Sequence, residues 1–461
     1  MTLLYDEKNM KLLEDNIDSI INEARRYALK NVYEPSLKEY NEIIKVILNF
    51  IKLNKRIIYG GYGWNELIIN KNPKDKLYSE DKIEMPDIDF YSPTPVHDII
   101  NICKELHEKG FKSIRAESAN NPETYTMFVN QHQYIDVGYM PKILFNKMPL
   151  MKVNNLNIAH PKFILIDIMR QYNDPMTSYW RVKKNLLRAN LLLKNYPLET
   201  RGKFSLIKLD DSTKRILDFI RKNIIIDSNL LVFGYYAYQY YMYKSRDDQK
   251  EELYVPYYDV ISTNIEHDIK NIYKKILQFD EFIQVEEYHP FYQLLDRKIV
   301  FKHNNNIILN VYGNKIKGRG MCIPYWHLEK KKFNVVTFPY MVQSLLINFV
   351  YHWINNNKNE AFNMDYLLND IIKGRNYYLK KHNKSILDDT PFQEFRIQCM
   401  GNTIEPDRQY RLTLEENLAN NKPTKNFRYD FIRNMNVDPD KIHFSNTSGN
   451  INNTNNKILI V

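Results

Sequence analysis

Two stretches in the first quarter of the chain decide the fold: residues 57–64, IIYGGYGW, and residues 85–93, MPDIDFYSP. The first is an apolar run that ends in three glycines within four positions, although the whole chain has 13 glycines among 461 residues. A glycine pair at a strand end leaves the backbone open to the close approach of a phosphate group. The second stretch alternates in a way that predicts a strand, with Asp87 and Asp89 on one face.

A third carboxylate belongs with this pair. Residues 134–140, YIDVGYM, predict a strand in a hairpin with TYTMFVN (124–130), and Asp136 stands between the apolar Ile135 and Val137. Three carboxylates on one sheet face repel one another unless cations neutralise them. Mg²⁺ prefers such oxygen ligands, and two ions can clamp the attacking and leaving oxygens of a phosphoryl transfer. Taken singly, however, each motif also occurs without such a function, as an exposed DxD or a flexible glycine turn.

The sequence also contains an internal repeat. Residues 85–99, MPDIDFYSPTPVHDI, and residues 255–269, VPYYDVISTNIEHDI, share six identities in fifteen positions. Upstream, IIYGGYGW (57–64) aligns with LVFGYYAY (231–238), and downstream, YIDVGYM (134–140) aligns with ILNVYGN (308–314). The agreement in order and spacing predicts a duplicated α+β unit.

Composition sets the general class of the protein. Apolar residues make up 44% of the chain, charged residues 26%, and the net charge is +10, which excludes wholesale disorder and is compatible with a polyanionic partner. We expect N-terminal helices over residues 1–55, a catalytic domain with a basic helical region over 56–210 and a degenerate copy with C-terminal helices over 211–445. An Asn-rich tail over 446–461 completes the chain.

Cysteines and apolar segments bear on the cellular compartment. The three cysteines are widely spaced and odd in number, forming neither a disulfide framework nor a zinc motif, which indicates a reducing intracellular setting. Residues 335–354 carry no Asp, Glu, Lys or Arg, but Pro339 and polar side chains interrupt the segment. It therefore predicts a buried helix beginning near Pro339 rather than a membrane span.

The ordered set of strand, glycine pair, DxD strand and distant third aspartate resembles the nucleotidyltransferase superfamily of the DNA polymerase β type. GGYGWNEL (60–67), MPDIDFYSP (85–93), YIDVGYMP (134–141) and DPMTSYWRVKKNLLRANLLL (174–193) further resemble the poly(A) polymerase catalytic subunits of poxviruses and other large cytoplasmic DNA viruses. The resemblance covers residues 56–195 well and the remainder by architecture. It implies an α+β nucleotidyltransferase fold with helical extensions, followed by a degenerate second domain of the same fold.

The resemblance also implies an activity: template-independent addition of AMP from ATP to RNA 3′ ends. Asp87 and Asp89 would bridge two Mg²⁺ or Mn²⁺ ions, and Asp136 would hold the ion that activates the RNA 3′-hydroxyl. The residues implied in nucleotide binding are Gly60, Gly61, Tyr62, Ser178, Tyr179, Arg181 and Lys184. The chain departs from the superfamily pattern in having Tyr62 where many members have serine, and in the long segment between Gly61 and Asp87. The expected setting is the host cytoplasm or the virion, with RNA rather than DNA as partner and no membrane.

The second copy lacks most of these groups. Opposite Asp87, Asp89 and Asp136 stand Tyr257, Asp259 and Asn310, and opposite Gly61 stands Tyr235. One carboxylate cannot hold two metal ions, so we expect this copy to be catalytically inert. Its tyrosines at positions 235–241 and the basic segment RNYYLKK (375–381) either fill a core and keep the surface soluble, or help a homodimer to enclose RNA.

Two other functions remain open at this point. Glycosyltransferases also use a DxD motif to hold a metal with a nucleotide sugar, but they need neither the glycine pair nor the third strand carboxylate. A non-catalytic RNA-binding subunit would need neither copy to be active, whereas the first copy keeps its three carboxylates. Another RNA-terminal nucleotidyltransferase activity is a variant of the leading hypothesis.

Overall fold

The computed structural model describes residues 4–31, 36–78, 86–121, 123–198, 204–205, 207–246, 255–280, 282–316, 319–330, 332–421 and 428–430. The Asn-rich tail predicted for residues 446–461 lies outside these ranges. So does part of the long segment between Gly61 and Asp87, namely residues 79–85.

Helices and strands alternate along most of the chain. The helices are α1 Glu7–Asn31, α2 Leu37–Leu53, α3 Gly60–Lys71, α4 Pro95–Glu108, α5 Lys142–Lys147, α6 Pro161–Asn173, α7 Pro175–Asn195, α8 Asp211–Ile220, α9 Gly234–Ser245, α10 Ile265–Phe279, α11 Phe338–Ile354, α12 Lys358–Lys381 and α13 Pro406–Ala419. The strands are β1 Ile57–Tyr59, β2 Ile88–Ser92, β3 Ile114–Ser118, β4 Thr124–Val129, β5 His132–Tyr139, β6 Leu150–Val153, β7 Leu156–Ala159, β8 Leu231–Phe233, β9 Tyr258–Ile261, β10 Gln284–Tyr288, β11 Lys298–His303, β12 Asn306–Tyr312, β13 Lys315–Ile316, β14 Arg319–Gly320, β15 Ile323–Leu328, β16 Phe333–Val336, β17 Cys399–Met400 and β18 Arg428–Asp430.

The chain divides into two compact units. The first unit comprises Met1–Phe145, Leu150–Ala159 and Leu414–Val461, and the second comprises Asn146–Pro149 and His160–Thr413. Helices α6 and α7, which the sequence analysis assigned to the catalytic domain, group with the second unit. The domain boundaries expected at residues 55, 210 and 445 stay predictions.

Each unit is built around one mixed sheet. The strand order in the first unit is β18-β3-β4-β5-β2-β1-β7-β6, and that in the second is β10-β11-β12-β9-β8-β16-β15-β17. The parallel pairs β2–β5 and β1–β7 of the first sheet correspond to β9–β12 and β8–β16 of the second.

Even an irregularity recurs in the two sheets. The register shifts between Met127 and Phe128 on β4, and between Phe301 and Lys302 on the corresponding strand β11. Because a shared bulge at the same register is a detailed feature of backbone pairing, the two sheets have the same architecture. The duplicated α+β fold expected from the sequence is therefore present.

Local sequence signals explain how the helices of the first unit begin. Ser36 caps α2, and its Oγ accepts a hydrogen bond from the backbone N–H of Glu39 at 3.3 Å, as the capping-box pattern predicts. Helix α4 begins at Pro95, and Gly110, with φ of +92°, follows its C-terminus. Asp98 in its first turn is buried and receives two hydrogen bonds from the Arg56 guanidinium, at 2.5 and 2.7 Å. Asp98 is therefore a structural residue.

The uncharged segment 335–354 forms strand β16 and helix α11, which begins at Phe338 and is buried along most of its length. Its neighbours are helices α6, α9 and α12 of the same unit, so its apolar surface is covered by protein. Among the helices of the described ranges, none has the length and apolarity needed to cross a membrane. The prediction of a buried helix is confirmed.

The expectation that the cysteines form no disulfide is wrong for two of them. Cys322 and Cys399, 77 residues apart, form a disulfide, and the third cysteine, Cys103, is free and buried. The pairing follows from strand order: β17 adds to the edge of β15, which places Cys399 opposite Pro324, next to Cys322. Cysteine spacing alone does not reveal such a contact between edge strands. Because two of the three cysteines are paired, the cysteine content no longer indicates a reducing compartment.

The tyrosine-rich segment of the second unit forms helix α9, and its aromatic side chains are buried. Tyr235 and Tyr241 are about 1% and 0% exposed, and Tyr241 donates a hydrogen bond to the Val336 carbonyl at 2.7 Å. These rings fill a core, the first of the two alternatives that the sequence left open. They are not available for stacking on RNA bases.

Candidate active site

Three aspartates converge on one face of the first sheet. Asp89 on β2 and Asp136 on β5 are direct partners in the parallel register, and Asp87 immediately precedes β2. One carboxylate oxygen from each of the three lies within 4.8 Å of the other two, and all three residues are half-buried. Their strand neighbours Ile88 and Phe90 point to the opposite face and are fully buried, which fixes the direction of the carboxylates.

Two neutral side chains donate hydrogen bonds to these carboxylates. The Thr126 hydroxyl donates to Asp136 Oδ1 at 2.5 Å, and the Gln133 amide donates to Asp87 Oδ2 at 3.0 Å. Both lie on the β4–β5 hairpin, where Thr126 is the register partner of Asp136. Neither residue was predicted from the sequence. The alternation of the predicted hairpin would have placed Thr126 on the same face, but not in contact with the carboxylate.

Gly60 is fitted closely against Asp89. Its φ is +66°, and a Cβ atom at this position would lie 1.8 Å from Asp89 Oδ2. Glycine is therefore required at position 60 for two reasons: the backbone is left-handed, and there is no room for a side chain. Gly60, Gly61 and Tyr62 form the first turn of α3, whose N–H groups lack intrahelical partners and favour anions.

Aromatic residues line the side of the site near Asp87. The Tyr40 ring stacks on Tyr134 at 5.4 Å and meets His132 edge-on at 6.1 Å, and the Tyr40 hydroxyl donates to the Pro86 carbonyl at 3.2 Å. Burial, assisted by the negative charge of Asp87, raises the pKa of the Tyr40 hydroxyl well above its usual range. Burial lowers the pKa of His132, although Asp87 opposes this effect. The tyrosine hydroxyls stay neutral, so the charge at this edge of the sheet comes from the carboxylates.

Tyr62, at the position where many superfamily members have serine, is half-buried. Burial, with a smaller contribution from the nearby Glu66 carboxylate, raises the pKa of its hydroxyl well above the usual range. Burial also raises the pKa of Glu66, which accepts a hydrogen bond from Asn154 at 3.5 Å.

The other four residues expected to bind nucleotide lie on α7, in the second unit. Ser178 is half-buried, whereas Tyr179, Arg181 and Lys184 are exposed. Across its 21 residues α7 has five cationic side chains and no Asp or Glu. The helix is thus suited to an anion, and the roles of these four residues stay predictions.

In the second unit, the place that corresponds to the aspartate triad is buried and has a single carboxylate, that of Asp259. Asp259 and Asn310 are register partners like Asp89 and Asp136, each is 4% exposed, and the Asn310 amide donates to Asp259 Oδ1 at 2.9 Å. Burial raises the pKa of Asp259 to about 7, against the Asn310 hydrogen bond and the positive charge of Lys298. Tyr257, in the position of Asp87, packs edge-on against Tyr235. Among the described residues, the only triad of potential metal ligands is that of the first unit.

Family comparison agrees with this geometry. Residues 45–178 match the family model "Poly(A) polymerase catalytic subunit", and residues 190–461 match "APMV, Putative poly(A) polymerase, catalytic subunit, C-terminal". The protein named "Putative poly(A) polymerase catalytic subunit" in Acanthamoeba polyphaga mimivirus is 32% identical over an alignment covering 97% of this chain and 82% of that protein. The chain belongs to the poly(A) polymerase catalytic subunit family. The resemblance drawn from the motifs is thereby confirmed.

Other members of the family match in part or in structure. A poly(A) polymerase catalytic subunit, also named as putative, from African swine fever virus (strain Badajoz 1971 Vero-adapted) is 30% identical over 171 residues, 36% of this chain and 35% of that protein. The crystal structure of the Megavirus polyadenylate synthase superposes with a TM-score of 0.88 at 27% identity, covering 98% of this chain and 93% of that chain. The predicted fold class, an α+β nucleotidyltransferase fold followed by a degenerate copy, is confirmed.

Proposed function

We propose that this family member is the catalytic subunit of a poly(A) polymerase, which transfers AMP from ATP to RNA 3′ ends without a template. The observation that carries the proposal is the convergence of Asp87, Asp89 and Asp136 in the first unit, with Gly60 fitted against Asp89. The family membership supports the same activity. A non-catalytic RNA-binding subunit would have no use for three repelling carboxylates held within 4.8 Å of one another.

The carboxylate set suits a hard divalent cation, because it offers only oxygen ligands and concentrates negative charge. We propose that Asp87 and Asp89 hold two Mg²⁺ or Mn²⁺ ions and that Asp136 holds one of them. Bound there, such ions would neutralise charge on the reacting phosphate and lower the pKa of the RNA 3′-hydroxyl. Thr126 and Gln133 keep two of the carboxylates in fixed orientations through their hydrogen bonds.

The protein's own contribution to nucleotide binding is proposed from two places. The first turn of α3, with Gly60, Gly61 and Tyr62, offers backbone N–H groups to the triphosphate. Ser178, Tyr179, Arg181 and Lys184 on α7 are proposed to contact the β- and γ-phosphates, a role supported by the lack of acidic residues on this helix.

We further propose that the second unit supports the fold without chemistry, since its site is buried and retains one carboxylate. A homodimer that encloses RNA is a further proposal, as is action in the host cytoplasm or the virion. The viral origin of the related proteins supports the latter. Size exclusion with light scattering tests the dimer, because a mass near the 55.4 kDa of one chain at micromolar concentration would contradict it.

Primer extension tests the activity directly. The protein is incubated with labelled oligo(A), ATP and Mg²⁺ or Mn²⁺, in parallel with oligo(dA) as primer and with each other nucleoside triphosphate. We expect a ladder that needs ATP, a divalent ion and RNA. Addition of another nucleotide would favour a different RNA-terminal nucleotidyltransferase, and retarded but unextended primer would favour the binding subunit. Turnover of a UDP-sugar in place of ATP would favour the glycosyltransferase alternative.

A further inference from the structure

Two tyrosine rings lie side by side on the sheet face that carries the aspartates. The Tyr59 and Tyr91 rings are stacked with their centroids 3.9 Å apart and their planes 9° apart. Tyr59 on β1 is the register partner of Asp89, and Tyr91 follows Asp89 by two positions on β2. Since side chains two positions apart on a strand share a face, both rings project on the side of the carboxylates.

A glycine makes room for this pair. Gly138 is the register partner of Tyr91 and lies two positions after Asp136 on β5. A Cβ atom on Gly138 would come within 3.1 Å of Tyr91 Cδ1 and 3.2 Å of the Tyr59 hydroxyl oxygen. Glycine weakens a strand, so its presence in β5 is best explained by the close approach of the two rings.

The inert copy provides an internal comparison. The positions of Tyr59, Tyr91 and Gly138 are occupied in the second unit by Phe233, Ile261 and Tyr312, as the strand registers show. These three are at most 4% exposed, and Phe233 packs edge-on against Tyr312 at 5.1 Å.

Tyr59 and Tyr91, by contrast, are only half-buried. The copy without a carboxylate triad has therefore closed this part of the face, whereas the copy with the triad keeps an aromatic surface beside it.

We propose that the Tyr59–Tyr91 stack is a nucleoside-binding subsite, which packs against the base or ribose of a nucleotide whose phosphate lies at the aspartates. The inference rests on the proposed function. Two residues along a strand span about 7 Å, so Tyr91 lies about one nucleoside away from Asp89. Aromatic side chains accept any base face, and a half-buried ring pair presents such a surface with little loss of side-chain freedom. The nucleoside comes either from ATP or from the 3′-terminal adenosine of the RNA.

Binding measurements on the full chain separate the two sources. Tyr91→Leu removes the ring, Tyr91→Phe keeps it, and Tyr273→Leu, at an exposed tyrosine on α10, is the matched control. Calorimetry gives Kd for a non-hydrolysable α,β-methylene ATP and, separately, for oligo(A) with a 3′-deoxy end. We expect Tyr91→Leu to weaken at least one ligand about tenfold, with Tyr91→Phe and the control within twofold of wild type.

Each outcome has a defined meaning. Weaker binding of the ATP analogue alone assigns the subsite to the incoming nucleotide, weaker binding of oligo(A) alone assigns it to the RNA end, and loss of both assigns it to a shared surface. Unchanged Kd for both ligands overturns the proposal, as does a loss in Tyr91→Phe equal to that in Tyr91→Leu. If wild type extends oligo(A) while Tyr91→Leu binds normally, the subsite fails and the proposed function stands.

A second experiment needs no variant and covers the case in which Tyr91→Leu does not fold. Wild-type protein is photolabelled with 8-azido-ATP or with oligo(A) ending in 8-azidoadenosine, and the labelled peptides are identified by mass spectrometry. We expect label on the peptides that contain Tyr59 or Tyr91. Label confined to other peptides with both reagents would overturn the proposal.

Discussion

Asp89 and Asp136 face each other across the parallel pair β2–β5, and the same two places in the second sheet hold Asp259 and Asn310. In the first unit the pair is half-buried and repulsive, and Thr126 orients Asp136. In the second unit the amide donates to the carboxylate at 2.9 Å, and both side chains are buried. The same sheet architecture therefore carries a charged site in the first unit and a buried, hydrogen-bonded pair in the second.

The first prediction concerns the metal ligands. We expect Asp89→Ala and Asp136→Ala each to lower the rate of AMP addition by at least about 100-fold, because the remaining carboxylates cannot hold the metal ions. The affinity for oligo(A), measured by fluorescence anisotropy, should stay within a few-fold of wild type. A variant with more than about a tenth of the wild-type rate would contradict the two-metal assignment.

Thr126 allows a subtler test of the same site. Thr126→Val is nearly isosteric but cannot donate to Asp136, so the carboxylate loses its fixed orientation. We expect the Mn²⁺ concentration for half-maximal activity to rise about tenfold or more, as for other residues that orient metal ligands. Direct titration of Mn²⁺ by electron paramagnetic resonance should show the same shift. Thr126→Ser keeps the hydroxyl and should behave as wild type, and an equal loss in both variants would argue against this role.

The two equivalent glycines should respond differently to the same change. Gly60→Ala would place Cβ 1.8 Å from Asp89 Oδ2, and Gly234→Ala would place it 2.1 Å from Asp259 Oδ2. Both positions have positive φ, which costs about 1–2 kcal/mol for a residue other than glycine. We expect Gly60→Ala to abolish AMP addition by displacing Asp89. Gly234→Ala should mainly lower Tm, because Asp259 is buried and cannot move aside. Comparison of the rates of AMP addition and of the melting curves of the two variants tests both expectations.

Asp259 gives a prediction for pH. Its folded-state pKa of about 7 lies above the value of about 3.9 for an unfolded chain, since burial disfavours the charged form. The folded protein therefore holds this proton more tightly, and wild type should lose stability as pH rises from about 4 to about 7. Asp259→Asn removes that loss, so its stability relative to wild type should be greater at pH 8 than at pH 5 in urea unfolding.

The same variant tests whether the second unit is inert. Asp259→Asn should leave the rate of AMP addition within about twofold of wild type, because its partners are already Tyr257 and Asn310. A large loss of rate in a normally folded variant would mean that the second copy takes part in the chemistry.

A buried ion pair joins helices α6 and α12 of the second unit. Lys162 Nζ donates to Asp365 Oδ1 and lies 4.3 Å from the centroid of the Phe349 ring, and the Asp365 side chain is 0% exposed. Lys162→Met should lower the free energy of unfolding by about 3–5 kcal/mol, because the carboxylate is left without its cation. The double variant Lys162→Met/Asp365→Leu should recover much of this loss. Urea unfolding of wild type, both single variants and the double variant would show additive effects if the two residues were independent.

Strand periodicity predicted the part of the site that depends on which face of a strand a side chain occupies. Period-two alternation placed Asp87, Asp89 and Asp136 on one side of their strands, and the apolar neighbours fixed which side was buried. The repeat likewise predicted the second sheet and the loss of its carboxylates. The hydrogen bonds of Thr126 and Gln133 to the carboxylates were not predicted, because a hydrogen bond depends on side-chain distances, which alternation does not specify.

Strand order and burial were decided by tertiary structure. The disulfide between Cys322 and Cys399 exists because β17 pairs with the edge of β15, a contact between segments 77 residues apart. The tyrosines of α9 gave no sign of their burial, since an aromatic helix suits a core as well as a surface. The Tyr59–Tyr91 stack likewise required β1, β2 and β5 to be neighbours.

By itself, therefore, the sequence determined the duplication of an α+β unit and the three aspartates, because these follow from local periodicity and from motif order along the chain, while the nucleotidyltransferase fold was implied by the family resemblance of the same motifs. Only the tertiary structure decided which side chains meet across strands: Thr126 with Asp136, Gly60 with Asp89 and Tyr59 with Tyr91. The physical reason is that such contacts depend on register and packing between segments distant in sequence, where a shift of one residue turns a side chain to the other face.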